Sequence, residues 1–347
     1  MSRLLDWYDA NERDLPWRQS RDAYGVWVSE VMLQQTQVAA VIPYWERWMR
    51  RLPTLTALAR AREGTILKLW AGLGYYSRAR NLQKAARVIV KEHGGEVPRD
   101  AEALRGLPGV GRYTAGAVAS IAFDKPEPVV DGNVARVLAR VFAVEGDVKS
   151  GTANEWLWDL AKAMVSATGR CGDLNQSLME LGAMVCRPRG AQCEVCPLKR
   201  SCEARRRGAV GKFPQVTKRE ALENCRWRVL VLEQAGRWLV RQRPAEGVNG
   251  GLWEFPTLEL REGNGKMKPG WASGLAGGRV RGTRRWFSFK HSITRHRIVV
   301  EAWRGSCVGG EGRWVTAREL SGLALAGAHG KVWRRLREGI AVDGISC

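Results

Sequence analysis

Nowhere in its 347 residues does this chain present a run of roughly 18 apolar side chains, the length a membrane-crossing helix requires. Nor does the N-terminus, Met1-Ser2-Arg3-Leu4-Leu5-Asp6-Trp7, offer the unbroken apolar segment of a secretory signal, because an acid and an aromatic interrupt it. A cytosolic protein with no membrane contact is expected. Acidic side chains are also in short supply: 35 Asp and Glu face 56 Lys and Arg, for a formal net charge of +21. An excess of that size points to a polyanionic partner, nucleic acid first, with a surface kept basic only for solubility as the alternative. Disorder is excluded, since 45% apolar residues suffice for two cores.

Disulfides have little place in a reducing compartment, so the distribution of the 8 cysteines carries information. Cys186, Cys193, Cys196 and Cys202 fall within 17 residues, whereas Cys171, Cys225, Cys307 and Cys347 are scattered. Strands are missing from the first part of the chain. From Leu4 to about Val185 the apolar residues recur at spacings of three and four, as in Val26 to Leu33 and Ala153 to Met164, which predicts helices throughout. After Arg205-Arg206-Arg207-Gly208 and Lys212-Phe213-Pro214 come alternating stretches, Trp227 to Leu232, Arg237 to Arg241 and Arg297 to Trp303, which predict the strands of an α+β domain. The expected division is a helical domain over 1–205, a linker over 206–223 and a second domain over 224–347. Charge divides unevenly too: residues 1–200 hold 28 basic and 22 acidic side chains (+6), and residues 201–347 hold 28 and 13 (+15).

Four constellations carry chemistry. Leu107-Pro108-Gly109-Val110-Gly111 is a tight Gly-rich turn opening a helix at about Tyr113, of helix-hairpin-helix character. Without side chains at Gly109 and Gly111 the backbone can approach a ligand, and N–H groups at a helix start bind phosphate oxygen; an ordinary turn is the alternative. Cys186-x6-Cys193-x2-Cys196-x5-Cys202 supplies four thiolates for one metal centre. Zinc ribbons usually pair two Cys-x2-Cys knuckles and only one is present, so zinc, an iron-sulfur cluster and a purely structural staple all remain open. Arg187, Arg189, Lys199, Arg200 and Arg205 to Arg207 surround the loop and could face phosphates. Glu30 has apolar neighbours one turn away; burial would raise its pKa and make it a general acid, unless it merely complements a helix dipole in a first turn. Asp131, in Val129-Val130-Asp131-Gly132-Asn133-Val134, precedes a helical stretch and reads as an N-cap, a role compatible with catalysis. Two carboxylates, one neutral and one ionised, are what cleavage of a glycosidic bond needs: one protonates the leaving group, the other stabilises an oxocarbenium-like sugar.

Taken together, Leu15-Pro16-Trp17, Trp27 to Gln37, Leu73 to Leu82, Leu107 to Gly111, Asp131 to Val134, Asn175-Gln176 and the four cysteines resemble, in order, the adenine DNA glycosylase family of the MutY type. The resemblance runs from residue 4 to about 205. It implies an all-α helix-hairpin-helix glycosylase domain with a 4Fe-4S cluster on Cys186, Cys193, Cys196 and Cys202. It also implies a monomeric enzyme that removes adenine mispaired with 8-oxoguanine, or with guanine, from duplex DNA in the nucleoid-associated cytoplasm. The adenine would be rotated out of the stack into a pocket. By the same resemblance Glu30 protonates adenine N7, Asp131 stabilises or transiently bonds the sugar C1′, Asn133 positions Asp131 or the water, and Tyr113 lines the site. Gln176 and Arg18 would hydrogen-bond the adenine and Trp17 pack on it. Gln35 and Tyr75 would enter the duplex around 8-oxoguanine, beside Thr36 and Leu73. Leu107, Gly109, Val110 and Gly111 would meet the DNA backbone.

Two further absences sharpen the expectation. Bifunctional relatives carry a Lys at the position of Tyr113, and a phenol cannot form a Schiff base, so a monofunctional glycosylase is implied. The C-terminal segment, with Gly251-Leu252-Trp253-Glu254-Phe255-Pro256, looks like a Nudix-type domain, yet only Glu259, Arg261 and Glu262 follow where a metal-binding Nudix helix needs a Glu-rich motif. Pyrophosphatase chemistry is not expected. The family's Phe-Ser-His lesion-reading loop aligns with Ile293-Thr294-Arg295, of which only Thr294 keeps the hydroxyl. Competing readings are a non-catalytic DNA-binding protein and a related glycosylase removing thymine from G·T mismatches. On the leading reading the charge forms a two-sided clamp on damaged duplex, with a salt-sensitive search.

Overall fold

The computed structural model describes residues 1–216, 222–244, 246–261, 269–293 and 295–343. It forms two compact units, Met1–Ala61 with Arg80–Lys218, and Arg62–Ala79 with Arg219–Cys347.

The first unit is helical. Among its described residues the only strand-like pairing outside helices is an isolated bridge between Asp147 and Gln215. Its central helix, Ala23–Leu33, is buried from Tyr24 to Met32, so it is enclosed all round rather than on one face. Asp22 starts it, the carboxylate accepting from the Gly25 N–H at 2.7 Å. Helix Arg112–Phe123 packs against it, and helix Cys171–Met184 packs against both Arg112–Phe123 and Gly132–Val141. The last contact depends on Gly182, where a Cβ would fall 2.6 Å from the Cβ of Asn133. Leu4, Val134, Leu138, Leu157, Leu174 and Leu178 fill the core between these helices. The first part of the expected linker is packed on this unit. Helix Glu203–Arg206 precedes it, and Phe213 is buried with Ala143 and Ala204, an apolar anchor that the surrounding run of cations conceals in the sequence.

The second unit is built, among its described residues, on a seven-stranded mixed sheet: β1 (Glu223–Gln234), β2 (Arg237–Gln242), β3 (Trp253–Glu254), β4 (Thr257–Arg261), β5 (Gly278–Ile293), β6 (His296–Gly309) and β7 (Arg313–Thr316). The order along the main path is β3-β2-β1-β6-β5, with β4 on β1 and β7 on β2. Of these strand pairs β1 with β6 is parallel; the others are antiparallel. Ala235 and Gly236, both at positive φ, make the two-residue turn between β1 and β2 that a right-twisted hairpin favours. Alternation on β1 sends Trp227, Val229 and Val231 to one face, against Val332, Trp333 and Leu336 of helix Gly327–Asp343. It sends Leu230 and Leu232 to the other, against Ala272 and Ala276 of the short helix Trp271–Ala276. That helix bears no carboxylate.

Candidate active site

A cavity of about 840 Å³ opens in the first unit. Nine of the residues singled out in the sequence line it: Trp17, Arg18, Glu30, Gln35, Thr36, Tyr113, Asp131, Asn133 and Gln176. Five elements meet there, the 3-10 turn Pro16–Arg18 and the helices that carry or follow Glu30, Tyr113, Asp131 and Gln176.

Glu30 lies in the last turns of helix Ala23–Leu33, not the first, so the dipole explanation fails: a carboxylate there faces the negative end. It is 5% exposed. Burial is the main cause that lifts its pKa to about 7, and the charge of Asp131 adds to it; the Tyr113 hydroxyl and Arg18 oppose. Tyr113 donates to Glu30 Oε2 at 2.6 Å and itself stays protonated, since burial and both neighbouring carboxylates push its pKa well up.

Asp131 has the opposite surroundings. Burial prevails and its pKa is raised, but every hydrogen bond it makes here opposes that rise. Its Oδ1 accepts from the Asn133 and Val134 N–H groups at 2.9 and 2.7 Å, and its Oδ2 from Asn133 Nδ2 at 2.9 Å. Donors on both oxygens suit a carboxylate that only accepts, which is the ionised form. Asp131 is therefore an N-cap, as expected, at the cavity wall. The Asn133 amide is fixed in turn: its oxygen accepts from Arg136 Nη2 at 2.8 Å, and Arg136 also donates to the carbonyls of Gly132, Gly182 and Cys186.

Trp17 is 5% exposed and packs edge-on to Trp45. Arg18 Nε donates to Gln176 Oε1 at 3.0 Å, and Arg18 Nη2 reaches Glu180 Oε2 at 3.1 Å. Gln35 sits at φ 57°, a strained conformation for a side-chain-bearing residue, in the turn after the Glu30 helix. Leu73 and Tyr75 belong to the second unit. There Leu73 is buried and Tyr75 is 44% exposed at φ 47°; Arg78 stacks on the Tyr75 and Trp70 rings and donates to the carbonyls of Leu73 and Gly74. Thr294 lies outside the described residues. Its neighbour Ile293 ends β5 opposite His296.

In the hairpin, Gly109 is demanded twice, by φ 77° and by Asn81, whose Cβ would lie 2.6 Å from a Cβ at 109. Gly111 caps helix Arg112–Phe123 and has open space where a side chain would stand. The Leu107 and Val110 side chains are buried, so only their backbone could touch a ligand.

The four clustered cysteines are free thiols and line one small cavity with Arg140, Val185 and Leu198. Among the described residues no three such side chains converge at single-ion distance; these four stand around the cavity wall. Arg140 Nη1 lies 3.3 Å from Cys186 Sγ, and burial pushes the Cys196 thiol up to about 11 and Cys202 upward, the neighbouring cysteines adding to it. Four mutually repelling thiolates beside a buried guanidinium need positive charge at their centre, so the donor set fits an iron-sulfur cluster. The surrounding cations are partly spent: Arg205 pairs with Glu194, and Arg206 and Arg207 with Glu203.

Sequence reasoning passed over Glu180, Arg13 and Arg136. Glu180 is 1% exposed and takes Arg13 in a fork, Nε at 2.5 Å and Nη2 at 2.9 Å, as well as Arg18. The spacing of Gln176 and Glu180, one turn apart on the helix Cys171–Met184, was the available signal.

Residues 28–163 match the HhH-GPD superfamily of base excision DNA repair proteins, and 228–335 match the NUDIX domain. An adenine DNA glycosylase of Rattus norvegicus is 45% identical over 309 residues, covering 74% of this chain and 60% of that protein. One of Homo sapiens is 40% identical over 397, covering 95% and 72%. The solved structure of a thermostable thymine-DNA glycosylase is similar over 59% of this chain and 94% of its own, at 33% identity and a TM-score of 0.54. No helix among the described residues is long and apolar enough to cross a membrane. The chain spans about 60% of the rat relative and under three quarters of the human one. With a helix-hairpin-helix unit, a Nudix-like sheet and 40% identity to a relative of which it covers 72%, the chain belongs to the adenine DNA glycosylase family.

Proposed function

We propose that the protein is a monofunctional, monomeric base excision repair glycosylase that hydrolyses the N-glycosidic bond of adenine opposite 8-oxoguanine, or guanine, in duplex DNA. One observation carries the reading: Glu30 and Asp131 share one cavity, the first with a pKa lifted to about 7 and the second wrapped in donors that favour its anion. That is the division of labour that glycosidic cleavage requires.

The flipped adenine enters the cavity and packs against Trp17, with Arg18 and Gln176 hydrogen-bonding it. Tyr113 occupies Glu30 Oε2, which leaves Oε1 to present the proton to adenine N7. As the N9–C1′ bond breaks, its electron pair goes to the base, whose new N7 proton keeps the departing adenine neutral. Asp131 stabilises the positive sugar at C1′, and Asn133, its amide polarity set by Arg136, holds Asp131 in register. Water then adds its oxygen to C1′ and passes a proton to the Glu30 carboxylate, which restores the acid. Tyr113 can form no imine, so the strand stays intact.

Gly109 and Gly111 bring the hairpin backbone to a DNA phosphate, while Gln35, Thr36, Leu73 and Tyr75 engage the duplex around the lesion. Cys186, Cys193, Cys196 and Cys202 would hold a 4Fe-4S cluster, which when bound supplies charge neutralisation for the thiolates and a redox-capable centre. The Nudix-like unit, through the segment that includes Thr294, reads the base opposite adenine. The enzyme would work on the nucleoid in the cytoplasm.

A single-turnover assay on duplexes carrying A opposite 8-oxoguanine, A opposite G and T opposite G tests this. Free adenine from the first two, with unbroken strands until alkali is added, is expected. Tight binding with no free base would favour a non-catalytic DNA-binding role, and free thymine the related thymine activity.

A further inference from the structure

Gln176 faces the cavity with an amide, a group that can either donate or accept. Its usefulness for recognising a base depends on which end is presented. Arg18 decides this. A guanidinium only donates, so the Gln176 atom 3.0 Å from Arg18 Nε has to be the carbonyl oxygen, leaving the NH₂ group for the cavity. Arg18 is itself pinned on three sides: Nη2 on Glu180 Oε2 at 3.1 Å, Nη1 on the Arg13 carbonyl at 3.0 Å, and its guanidinium above the Tyr8 ring at 5.6 Å. Glu180, 1% exposed, is charged in spite of burial: the hydrogen bonds and charges of Arg13 and Arg18 outweigh desolvation and hold its pKa below the ordinary range.

We propose that Glu180 is a positioning residue for base specificity, locking Arg18 so that Gln176 presents a donor to the base. The proposal rests on the glycosylase reading above. With N7 given to Glu30, the N1/N6 edge remains for the other polar groups of the wall. Adenine offers an acceptor at N1. Hypoxanthine, of nearly the same shape, offers an N1–H donor, and two donors facing each other inside a buried pocket leave both unsatisfied. The lock therefore selects adenine over hypoxanthine by polarity. Glu180 touches no substrate in this scheme.

The experiment compares single-turnover release of adenine and of hypoxanthine, each opposite 8-oxoguanine, for wild type, Glu180→Gln and Arg13→Gln. Glu180→Gln leaves one acceptor oxygen where there were two. With that oxygen kept on the Arg13 N–H and Nε, the NH₂ replaces the oxygen that took Arg18, so Arg18 is freed and Gln176 can turn its oxygen to the cavity. The adenine-to-hypoxanthine rate ratio is expected to fall by about tenfold or more, the worth of one unsatisfied buried group. Arg13→Gln keeps the Glu180–Arg18 pair and is expected to melt earlier with the ratio unchanged. Should Glu180→Gln not fold, Glu180→Asp, whose shorter side chain withdraws from Arg18, is read in the same way. Equal slowing of both bases, or the same relaxation in Arg13→Gln, would overturn the lock. A wild type that releases no adenine would instead remove the glycosylase reading on which it rests.

Discussion

The cavity wall buries two carboxylates, and the two are in opposite states. Glu30, 5% exposed, accepts from a phenol and is lifted to about 7; Glu180, 1% exposed, has two guanidiniums and is held low. Solvent scarcely reaches either and desolvation pushes both upward, with Glu30 the more deeply set, so burial alone does not decide charge. The partner does: a neutral donor offsets desolvation only in part, whereas a forked cation overcomes it. Glu30 can supply a proton near neutral pH; Glu180 can only orient.

The most severe way to break this contrast is at the proton. Glu30→Gln keeps shape and loses the acid, and excision is expected to fall by about 10²- to 10⁴-fold with duplex binding kept, which a gel-shift assay beside single-turnover kinetics would show. The next is stability. Removing Glu180 as Ala strands Arg13 and Arg18 and is expected to cost about 3 kcal/mol in urea unfolding. Glu30→Gln is expected to do the reverse at pH 8, gaining up to about 3 kcal/mol. By linkage, a carboxyl whose folded pKa is raised from 4.5 to about 7 loses stability as pH rises between those values, so the gain should vanish near pH 4.5 and level off above 7. Glu180, with its pKa depressed, contributes in full above the ordinary carboxylate range and loses that contribution as pH falls below it. A gain that does not depend on pH would contradict the raised pKa. In the rate itself, wild-type excision is expected to decline by about tenfold per pH unit above 7, as the acid form of Glu30 is depleted. The smallest effect sharpens the same point: Tyr113→Phe removes the donor that favours the Glu30 anion, so the alkaline limb of the pH–rate profile should move to higher pH, by about one unit or less.

Much of this was legible in the sequence. The alternation in Trp227 to Leu232, Arg237 to Arg241 and Arg297 to Trp303 falls within β1, β2 and β6, and the helical spacing of the first part corresponds to helices. Glu30, Tyr113, Asp131 and Gln176 were each visible in local motifs, and the fold gathers them. What could not be read was the supporting shell. Arg13 meets Glu180 across 167 positions, and Arg136 meets Cys186 across 50; such pairs leave no local period. The place of Glu30 in its helix was misleading for a different reason. The cap is Asp22, well before the motif that contains Glu30, so the helix is already near its end when the chain reaches that carboxylate.

Asp131 does two jobs with one group, starting a helix and holding a carboxylate at the cavity wall. Asn caps a helix about as well as Asp. On the proposed reading, changing that single residue from acid to amide would silence the chemistry while keeping the cap, at the cost of setting one new NH₂ against the Asn133 NH₂ that Arg136 holds in place. On that reading a protein so altered becomes a reagent, an inert probe that parks on mispairs and marks where they lie.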